Sequence, residues 1–180
     1  MTSTGPTTFT IGHSNHEPDA FVRLLTAFGL EILVDVRRYP GSRRLPWTNA
    51  PELERLLPID YLHLGELGGR RRPAPDSLNG FWENDGFRGY ADHMASAEFA
   101  SGFDRLCRLA RRRRVVVMCA EALWWRCHRR LIADALLVHD FEVCHIDPRG
   151  DAASHRLTEQ AVVEDGRLVY PPAQGRLDVE

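Results

Sequence analysis

Apolar runs alternate with helical stripes along most of this chain. The strongest run, residues 115–118, has three β-branched side chains and predicts a buried strand ending at Cys119. Weaker runs predict strands over residues 8–12, 31–36, 61–64 and 141–146. Apolar residues at helical spacing predict helices over residues 18–28, 51–57, 90–110 (one helix or a pair) and 123–139. The alternation indicates a single α/β domain with a mainly parallel sheet.

The chain divides into three segments by this pattern. We predict a disordered tail over residues 1–8, the α/β domain over residues 9–147, and a C-terminal extension packed on it over residues 148–180. The extension is predicted to hold a short helix at 157–163, a turn at Asp165 and Gly166, and a strand at 168–170. We expect a cytoplasmic protein without membrane contacts, because the sequence shows no secretory signal, membrane span or disulfide framework. The oligomeric state does not follow from the sequence.

Charge adds information about the partner. The net charge is −2, which does not suggest a general polyanion-binding protein, and all 23 basic residues are arginine. An enzyme without lysine has no lysine Schiff base or lysine general base. Residues 105–130 nevertheless contain nine Arg against Glu121 as the single acidic residue. This local excess favours a small anionic partner over a broad nucleic-acid surface.

Polar residues follow three of the predicted strands where each strand ends. They are His13, Ser14 and Asn15 after the first strand, Asp35 and Arg37 after the second, and Cys119 and Glu121 after the strongest. Because the carboxyl ends of parallel strands share one edge, we expect all of them to meet in one crevice.

The residue types in this crevice suggest a thiol-based site. Cys119 is the predicted nucleophile or redox centre, because a helix expected to follow it would favour a thiolate. Glu121 and His128 are the predicted acid–base pair. The residues predicted to bind the substrate are His13, Ser14, Asn15, Asp35, Arg37, Arg129 and Arg130. The alternatives are that Cys119 is a buried core thiol and Glu121 a helix cap; Cys127 is predicted to pack in the core.

Three functions remain open at this point. The first is a thiol-dependent hydrolase or transferase acting on an anionic substrate such as a nucleotide or nucleic-acid component. An arginine seven positions after Cys119 is typical of anion-cradling loops, but the residues between them are bulky and include no glycine. The second is a non-catalytic module that binds nucleic acid or a nucleotide, with tryptophans stacking on the bases. The third is a metal protein holding zinc or iron through Cys119, Cys127 and His128. The sequence requires no cofactor.

Several short motifs together resemble the bacterial and archaeal family known as domain of unknown function 488. The motifs are Thr10-Ile11-Gly12-His13-Ser14, Val34-Asp35-Val36-Arg37 with Pro40 and Ser42, Leu67-Gly68-Gly69, Gly89-Tyr90, Cys119-Ala120-Glu121 followed by Cys127-His128-Arg129, and His145-Ile146. The resemblance covers residues 9–147. It implies a Rossmann-like fold of three layers and a site built from these positions, and it supplies no reaction.

Overall fold

The structure, a computed structural model, describes residues 5–172. Its strands are β1 (Thr7–Gly12), β2 (Ile32–Asp35), β3 (Asp60–His63), β4 (Val115–Cys119), β5 (Glu142–Ile146), β6 (Ala152–Ser154), β7 (Val162–Glu164) and β8 (Arg167–Val169). Its helices are α1 (Pro18–Ala27), α2 (Ala50–Leu56), α3 (Asp85–His93), α4 (Ala97–Ala110) and α5 (Arg129–Val138). The main sheet has the order β3-β2-β4-β1-β5-β6, and only β6 runs antiparallel to its neighbour. The predicted α/β fold with a mainly parallel sheet is confirmed.

Helices cover both faces of this sheet. On one face, Phe21 of α1 and Leu53 of α2 share a core with Met118 of β4. On the other face, α3, α4 and α5 cover the sheet, and Leu106 of α4 packs in a core with Val117 of β4. Burial on both faces explains why β2 and β4 are almost continuously apolar in sequence. The arrangement has the three layers of the predicted fold.

The strand order brings three strand ends together. Strand β4 lies between β2 and β1, so Asp35 pairs in register with Met118, and Gly12 with Cys119. Beyond the sheet, the backbone nitrogen of His13 donates to the carbonyl oxygen of Cys119 at 2.9 Å. Helix α1, which follows β1, and α5, which follows β4, lie on opposite faces of the sheet. A crevice therefore opens between the two adjacent strands at their carboxyl ends.

The helix predicted from residue 123 begins six residues later than expected, at Arg129. Residues 120–128 form a loop instead, with a single 3₁₀ turn at Trp124–Arg126. Two contacts hold this loop away from helical geometry. The Arg129 side chain binds the carbonyl oxygens of Glu121 and Ala122, and the Trp124 ring stacks on His145 with 4.1 Å between centroids. The apolar spacing in the sequence was right for a helix, but tertiary contacts determined where the helix starts.

Two terminal predictions need correction. Residues 7 and 8 belong to β1, where Thr7 pairs with Glu142, so the predicted tail is shorter; residues 1–4 lie outside the described part. The helix predicted over 157–163 is absent from residues 5–172, because residues 162–169 form the β7–β8 hairpin. Asp165 and Gly166 both have positive φ, as a tight hairpin turn requires, so the predicted turn is confirmed. Residues 173–180 of the predicted extension lie outside the described part.

Two caps separate the helices α3 and α4, where one helix or a pair was predicted over residues 90–110; α3 begins five residues earlier, at Asp85. The Asn84 side chain accepts hydrogen bonds at the start of α3, and Ser96 Oγ accepts from the Phe99 nitrogen at the start of α4. The pair alternative is confirmed. None of the helices in residues 5–172 has the length and apolar character that crossing a membrane requires.

Candidate functional site

A cavity of about 580 Å³ opens at the carboxyl edge of the sheet. This volume lies within the usual range of small-molecule sites. The side chains in its lining that bear on its chemistry are His13, Arg37, Cys119, Glu121, Cys127 and His128. They come from the ends of β1, β2 and β4, from the loop after β4, and from the start of α5. The cavity thus gathers residues that are more than 100 positions apart in sequence.

A close backbone contact directs the loop after β4 across the end of β1. A Cβ atom at Gly12 would lie 1.9 Å from the carbonyl oxygen of Glu121, so only glycine allows this approach. The loop then returns towards the sheet, which brings Cys127 back to Cys119. A second glycine, Gly69, packs against His128; a Cβ there would lie 2.9 Å from its Nδ1.

Two cysteines touch at the floor of the cavity. The Sγ atoms of Cys119 and Cys127 are 2.7 Å apart, and both thiols are free. Cys119 is 3% exposed and Cys127 is 6% exposed, so both are nearly enclosed although they line the cavity. We call these two residues the thiol pair. At this distance one sulfur donates its hydrogen to the other.

The guanidinium of Arg129 lies beneath the thiol pair and is 0% exposed. Its Nε donates to Cys119 Sγ at 3.0 Å, and its other nitrogens donate to Thr10 Oγ1 and to the carbonyl oxygens of Glu121 and Ala122. Within residues 5–172, no carboxylate forms a salt bridge with it. A buried cation requires a compensating negative charge nearby, and the adjacent groups able to supply one are the two thiols.

The pKa values of the two thiols diverge in this environment. Burial raises the pKa of Cys127, but the hydrogen bond from Cys119 and the nearby Arg129 outweigh it and lower the value to about 6. Burial and the neighbouring Cys127 raise the pKa of Cys119 well above its ordinary value. The pair therefore shares one proton at neutral pH, and its single negative charge balances the guanidinium.

His128 lies beside the thiol pair as a neutral imidazole. Its Nε2 donates to the carbonyl oxygen of Val36 at 3.2 Å, which leaves Nδ1 as an acceptor 3.6 Å from Cys127 Sγ. Burial lowers the pKa of His128, which favours the neutral form. The orientation of the ring is the one needed to accept a proton from the Cys127 thiol.

A buried ion pair supports the opposite wall of the cavity. Arg37 donates to both carboxylate oxygens of Asp35 and to the carbonyl oxygen of Thr48, and Tyr61 donates to Asp35 at 2.8 Å. The remaining Nη1 of Arg37 lies 3.4 Å from Nε2 of His13. Burial lowers the pKa of His13 to about 4, so its Nε2 is a neutral acceptor. Asp35 thus orients Arg37, and Arg37 and His13 face the cavity.

Three exposed arginines surround the opening of the cavity: Arg38, Arg70 and Arg126. We call them the rim arginines. None of the three forms a salt bridge with a carboxylate of residues 5–172. Glu121 is the acidic residue of the lining, and Tyr39, 67% exposed, adds an aromatic ring at the same opening. The opening therefore carries a net positive charge that attracts anions.

A comparison with protein families matches the model described as Domain of unknown function DUF488 over residues 17–136, two thirds of the chain. The chain belongs to the DUF488 family. The match includes Arg37, the thiol pair and His128, and ends before His145. No curated protein and no solved structure matches the chain. Membership agrees with the resemblance seen in the sequence motifs.

In this DUF488 protein, the cavity contains only part of the set predicted from the sequence. The predicted residues outside its lining are Ser14, Asn15, Asp35, Arg129 and Arg130. The first two lie in the turn after β1, and the next two are fully buried behind the walls. Arg130 extends away from the cavity, with its Nε on Thr158 and its guanidinium over the Trp82 ring. The prediction that Arg129 and Arg130 clamp an anion is therefore corrected: one is a buried counter-ion, and the other packs on the C-terminal segment.

Other site residues of the DUF488 protein were missed or assigned differently from the sequence. The prediction that Cys127 packs in the core is confirmed, because it lies in the same core cluster as Leu131, but its position in the cavity lining was missed. The rim arginines were present in arginine-rich segments, but nothing in the sequence separates them from ordinary surface arginines. Thr10 was read as a strand residue, and it accepts a hydrogen bond from Arg129.

The metal-site alternative does not gain support from the geometry. Within residues 5–172, no three His, Cys, Asp or Glu side chains are arranged to hold a metal ion. Cys119 and Cys127 hydrogen-bond to each other, and His128 directs one ring nitrogen to the backbone of Val36.

Behind the thiol pair, a chain of hydrogen bonds links α5 to the C-terminal segment of the DUF488 protein. Arg129 donates to Thr10, Thr10 to His145 at 2.7 Å, His145 to His155 at 3.0 Å, and His155 to Asp134 at 2.9 Å. Every member of the chain is buried. The Asp134 carboxylate can only accept, so His155 carries its proton on Nε2 and accepts at Nδ1. His145 then also carries its proton on Nε2, and its Nδ1 accepts from Thr10. This chain anchors the Arg129 side chain from the rear.

Proposed function

We propose that this protein is a thiol-dependent transferase or hydrolase that acts on a small anionic substrate, with Cys127 as the nucleophile. The observation that supports the proposal most directly is the thiol pair, which lies on the cavity floor beside a buried guanidinium without a carboxylate partner. A thiolate held at neutral pH in an enclosed site is an activated nucleophile.

Cys127 has better support for this role than Cys119. Its Sγ accepts a hydrogen bond from the backbone nitrogen of Arg129 at the start of α5, at 3.5 Å, and faces Nδ1 of His128. The positive end of the helix dipole favours a thiolate there. Applied to the sequence alone, the same argument predicts Cys119, because the helix is then expected to follow that residue directly. With the helix starting at Arg129, the argument applies to Cys127.

The proposed reaction begins with attack of Cys127 Sγ on an electrophilic atom of the substrate. The bond to the leaving group breaks, and the leaving group departs with the bonding electrons. Nδ1 of His128 accepts the proton of any Cys127 that is still a thiol and returns it to the leaving group. Glu121, exposed in the lining, acts on the water or second substrate that releases the enzyme-bound group. Water gives hydrolysis, and any other acceptor gives transfer.

The rim arginines and Nη1 of Arg37, which lies beside His13, supply the anion specificity of the proposed site. Arginine binds carboxylate and phosphate through paired N–H groups, and a low-dielectric cavity strengthens that attraction. Tyr39 adds a stacking surface, which suits a nucleotide or a nucleic-acid component. A volume of about 580 Å³ accommodates one such unit but not a folded macromolecule.

Alkylation kinetics test this proposal. Iodoacetate carries a negative charge and iodoacetamide does not, so the ratio of their rates at Cys127 reports both the thiolate and the positive opening. We expect Cys127 to be alkylated first, with a half-maximal rate near pH 6. Arg126→Ala should slow iodoacetate several-fold and leave iodoacetamide unchanged. Modification of Cys127 no faster than Cys107, a buried thiol of raised pKa, would contradict the proposal.

A second measurement separates this proposal from the non-catalytic alternative. Turnover of nucleotides, phosphate esters and thioesters is screened together with binding of single-stranded nucleic acid at several salt concentrations. The proposal predicts turnover, or a covalent adduct on Cys127, that Cys127→Ser abolishes. A binding module instead gives salt-dependent binding that survives Cys127→Ser, without any adduct.

A further inference from the structure

A simple hydrolase or transferase needs only one nucleophilic sulfur. His128 lies beside Cys127 as its base, Arg129 is the nearby cation, and Cys119 adds a hydrogen bond that helps lower the pKa of Cys127. Yet Cys119 Sγ contacts Cys127 Sγ at 2.7 Å, on the floor of the same cavity. A disulfide bond is about 2.05 Å long, so a movement of well under 1 Å would join the two sulfurs.

We propose that Cys119 is the resolving thiol of a dithiol–disulfide exchange centre whose substrates are small anionic disulfides. This inference rests on the proposed role of Cys127 as the nucleophile, and it deepens that role by naming the bond attacked and the class of substrate. The two cysteines act in sequence on one disulfide, which arrives through the opening formed by the rim arginines.

The steps balance in atoms and electrons. The Cys127 thiolate attacks one sulfur of the substrate R–S–S–R′, forms a mixed disulfide and releases R–S⁻. Cys119 then gives up its proton to the solvent or to the released thiolate and attacks Cys127 Sγ. This step forms the Cys119–Cys127 disulfide and releases R′–S⁻. Two electrons pass from the thiol pair to the substrate, which leaves as two thiols, and an external small-molecule thiol reduces the pair again by the reverse exchange.

Arg129 serves both halves of this exchange. Its backbone nitrogen donates to Cys127 Sγ at 3.5 Å, and its side-chain Nε donates to Cys119 Sγ at 3.0 Å. Arg129 therefore stabilises a negative charge on Cys127 through its backbone nitrogen and one on Cys119 through its guanidinium. When Cys127 is bound in the mixed disulfide, Cys119 is the remaining sulfur beside that cation, so its thiolate becomes accessible at the moment it is needed.

The surroundings of the pair favour exchange with small disulfides over exchange with proteins. Both sulfurs are at least nine-tenths buried, so a partner must enter the cavity to reach them. The positive opening selects disulfides that carry carboxylates. The other two cysteines take no part, because Cys107 is buried in α4 and Cys144 lies in β5, and neither lines the cavity.

The test uses dithiobis(nitrobenzoate), a dianionic aromatic disulfide whose thiolate product is coloured, on the full chain carrying Cys107→Ser and Cys144→Ser. We expect two thiolates released per chain and a protein product that has lost two hydrogens and carries no adduct. Adding Cys119→Ser should give one thiolate and a stable mixed disulfide on Cys127. Adding Cys127→Ser should slow the release at least tenfold. If the doubly substituted background does not fold, peptide mass mapping of the wild-type chain after the same reaction identifies the disulfide directly.

Charge selectivity is tested with dithiodipyridine, a neutral disulfide, as the matched probe. Arg126→Ala should slow the dianionic disulfide roughly threefold to tenfold and leave the neutral one within twofold. A persistent adduct on Cys127 while Cys119 is present would overturn the inference, as would an Arg126→Ala substitution that changed the rates of both probes by the same factor. In either case, rapid iodoacetate labelling of Cys127 would still support Cys127 as the nucleophile. Slow reaction of Cys127 with every reagent would remove both proposals.

Discussion

Replacing Arg129 with methionine tests the electrostatic basis of the site. Methionine is of similar length and apolar, so the change removes the cation while largely filling its volume. It deletes the hydrogen bond to Cys119 Sγ and those to Thr10, Glu121 and Ala122. Two backbone carbonyl oxygens then lose donors, and the thiol pair loses its counter-charge. Breaking such a buried pair costs about 3–5 kcal/mol of unfolding free energy.

The same variant should change how stability depends on pH. In the wild-type protein, folding lowers the pKa of Cys127 from 9.0 to about 6, so between these values the unfolded chain binds more protons than the folded one. Stability therefore rises with pH across this window, by about 4 kcal/mol in all, and is lost as the pH falls through 6. The raised pKa of Cys119 opposes this only above its unfolded value of 9.0. Without the guanidinium, the pKa of Cys127 should rise towards its unfolded value, and the pH slope of stability should become shallower.

Urea unfolding at three pH values between 6 and 9 measures the free energies, and ultraviolet absorbance of the thiolate measures the pKa of the pair. Arg130→Met is the matched control, because Arg130 lies on the same helix, bonds to Thr158 and covers Trp82 without touching a thiol. We expect the control to lose about 1 kcal/mol and to keep the wild-type pH slope. If Arg129→Met kept both the slope and a thiol pKa near 6, Arg129 would not be the counter-ion.

Three further substitutions probe the supports of the site. Gly12→Ala should lower the free energy of unfolding in urea by at least about 3 kcal/mol, because the new Cβ would meet the Glu121 carbonyl oxygen. In the control Gly41→Ala, the new Cβ would have its nearest atom at 3.8 Å, so the loss should be under about 1 kcal/mol. Equal losses in the two variants would contradict the close approach of the loop after β4 to Gly12. Asp35→Asn should lower the free energy of unfolding by about 3–5 kcal/mol, because it leaves the buried Arg37 without its anion. An unchanged free energy of unfolding would show that the ion pair is not needed for stability. Tyr170→Phe removes a 2.9 Å hydrogen bond to buried Asp134 and should lower the melting temperature, with a loss of about 1–3 kcal/mol; an unchanged value would mean that water replaces the hydroxyl.

Much of the fold was predictable because its strands are buried on both faces. A run such as residues 115–118 must be covered by apolar neighbours whatever those neighbours are, so the sequence pattern identifies it as a core strand. The edge where His13, Arg37 and Cys119 meet followed from the parallel direction of the strands alone. The hairpin at Asp165 was predicted at its turn and its second strand but not at its first strand. The exposed valines of that first strand show no periodicity that distinguishes a helix from a strand.

The start of α5 was predicted wrongly because it depends on contacts between residues that are distant in the chain. The start of α5 depends on Arg129 binding the carbonyl oxygens of Glu121 and Ala122, and on Trp124 stacking against His145. No local pattern contains those partners. The late start of the helix in turn moved the helix-terminus argument from Cys119 to Cys127.

By itself, the sequence determined the five parallel strands, most of the helices and the edge of the sheet where polar residues collect, because these depend on local apolar spacing and strand direction. Only the tertiary structure decided that Cys119 and Cys127 touch, that Arg129 is their counter-ion, and that Arg130 lies elsewhere. Charge interactions depend on distances and burial in space, and adjacent arginines in one helix can face opposite environments. The chemistry of this site is therefore a property of the fold, although every residue type it uses is visible in the chain.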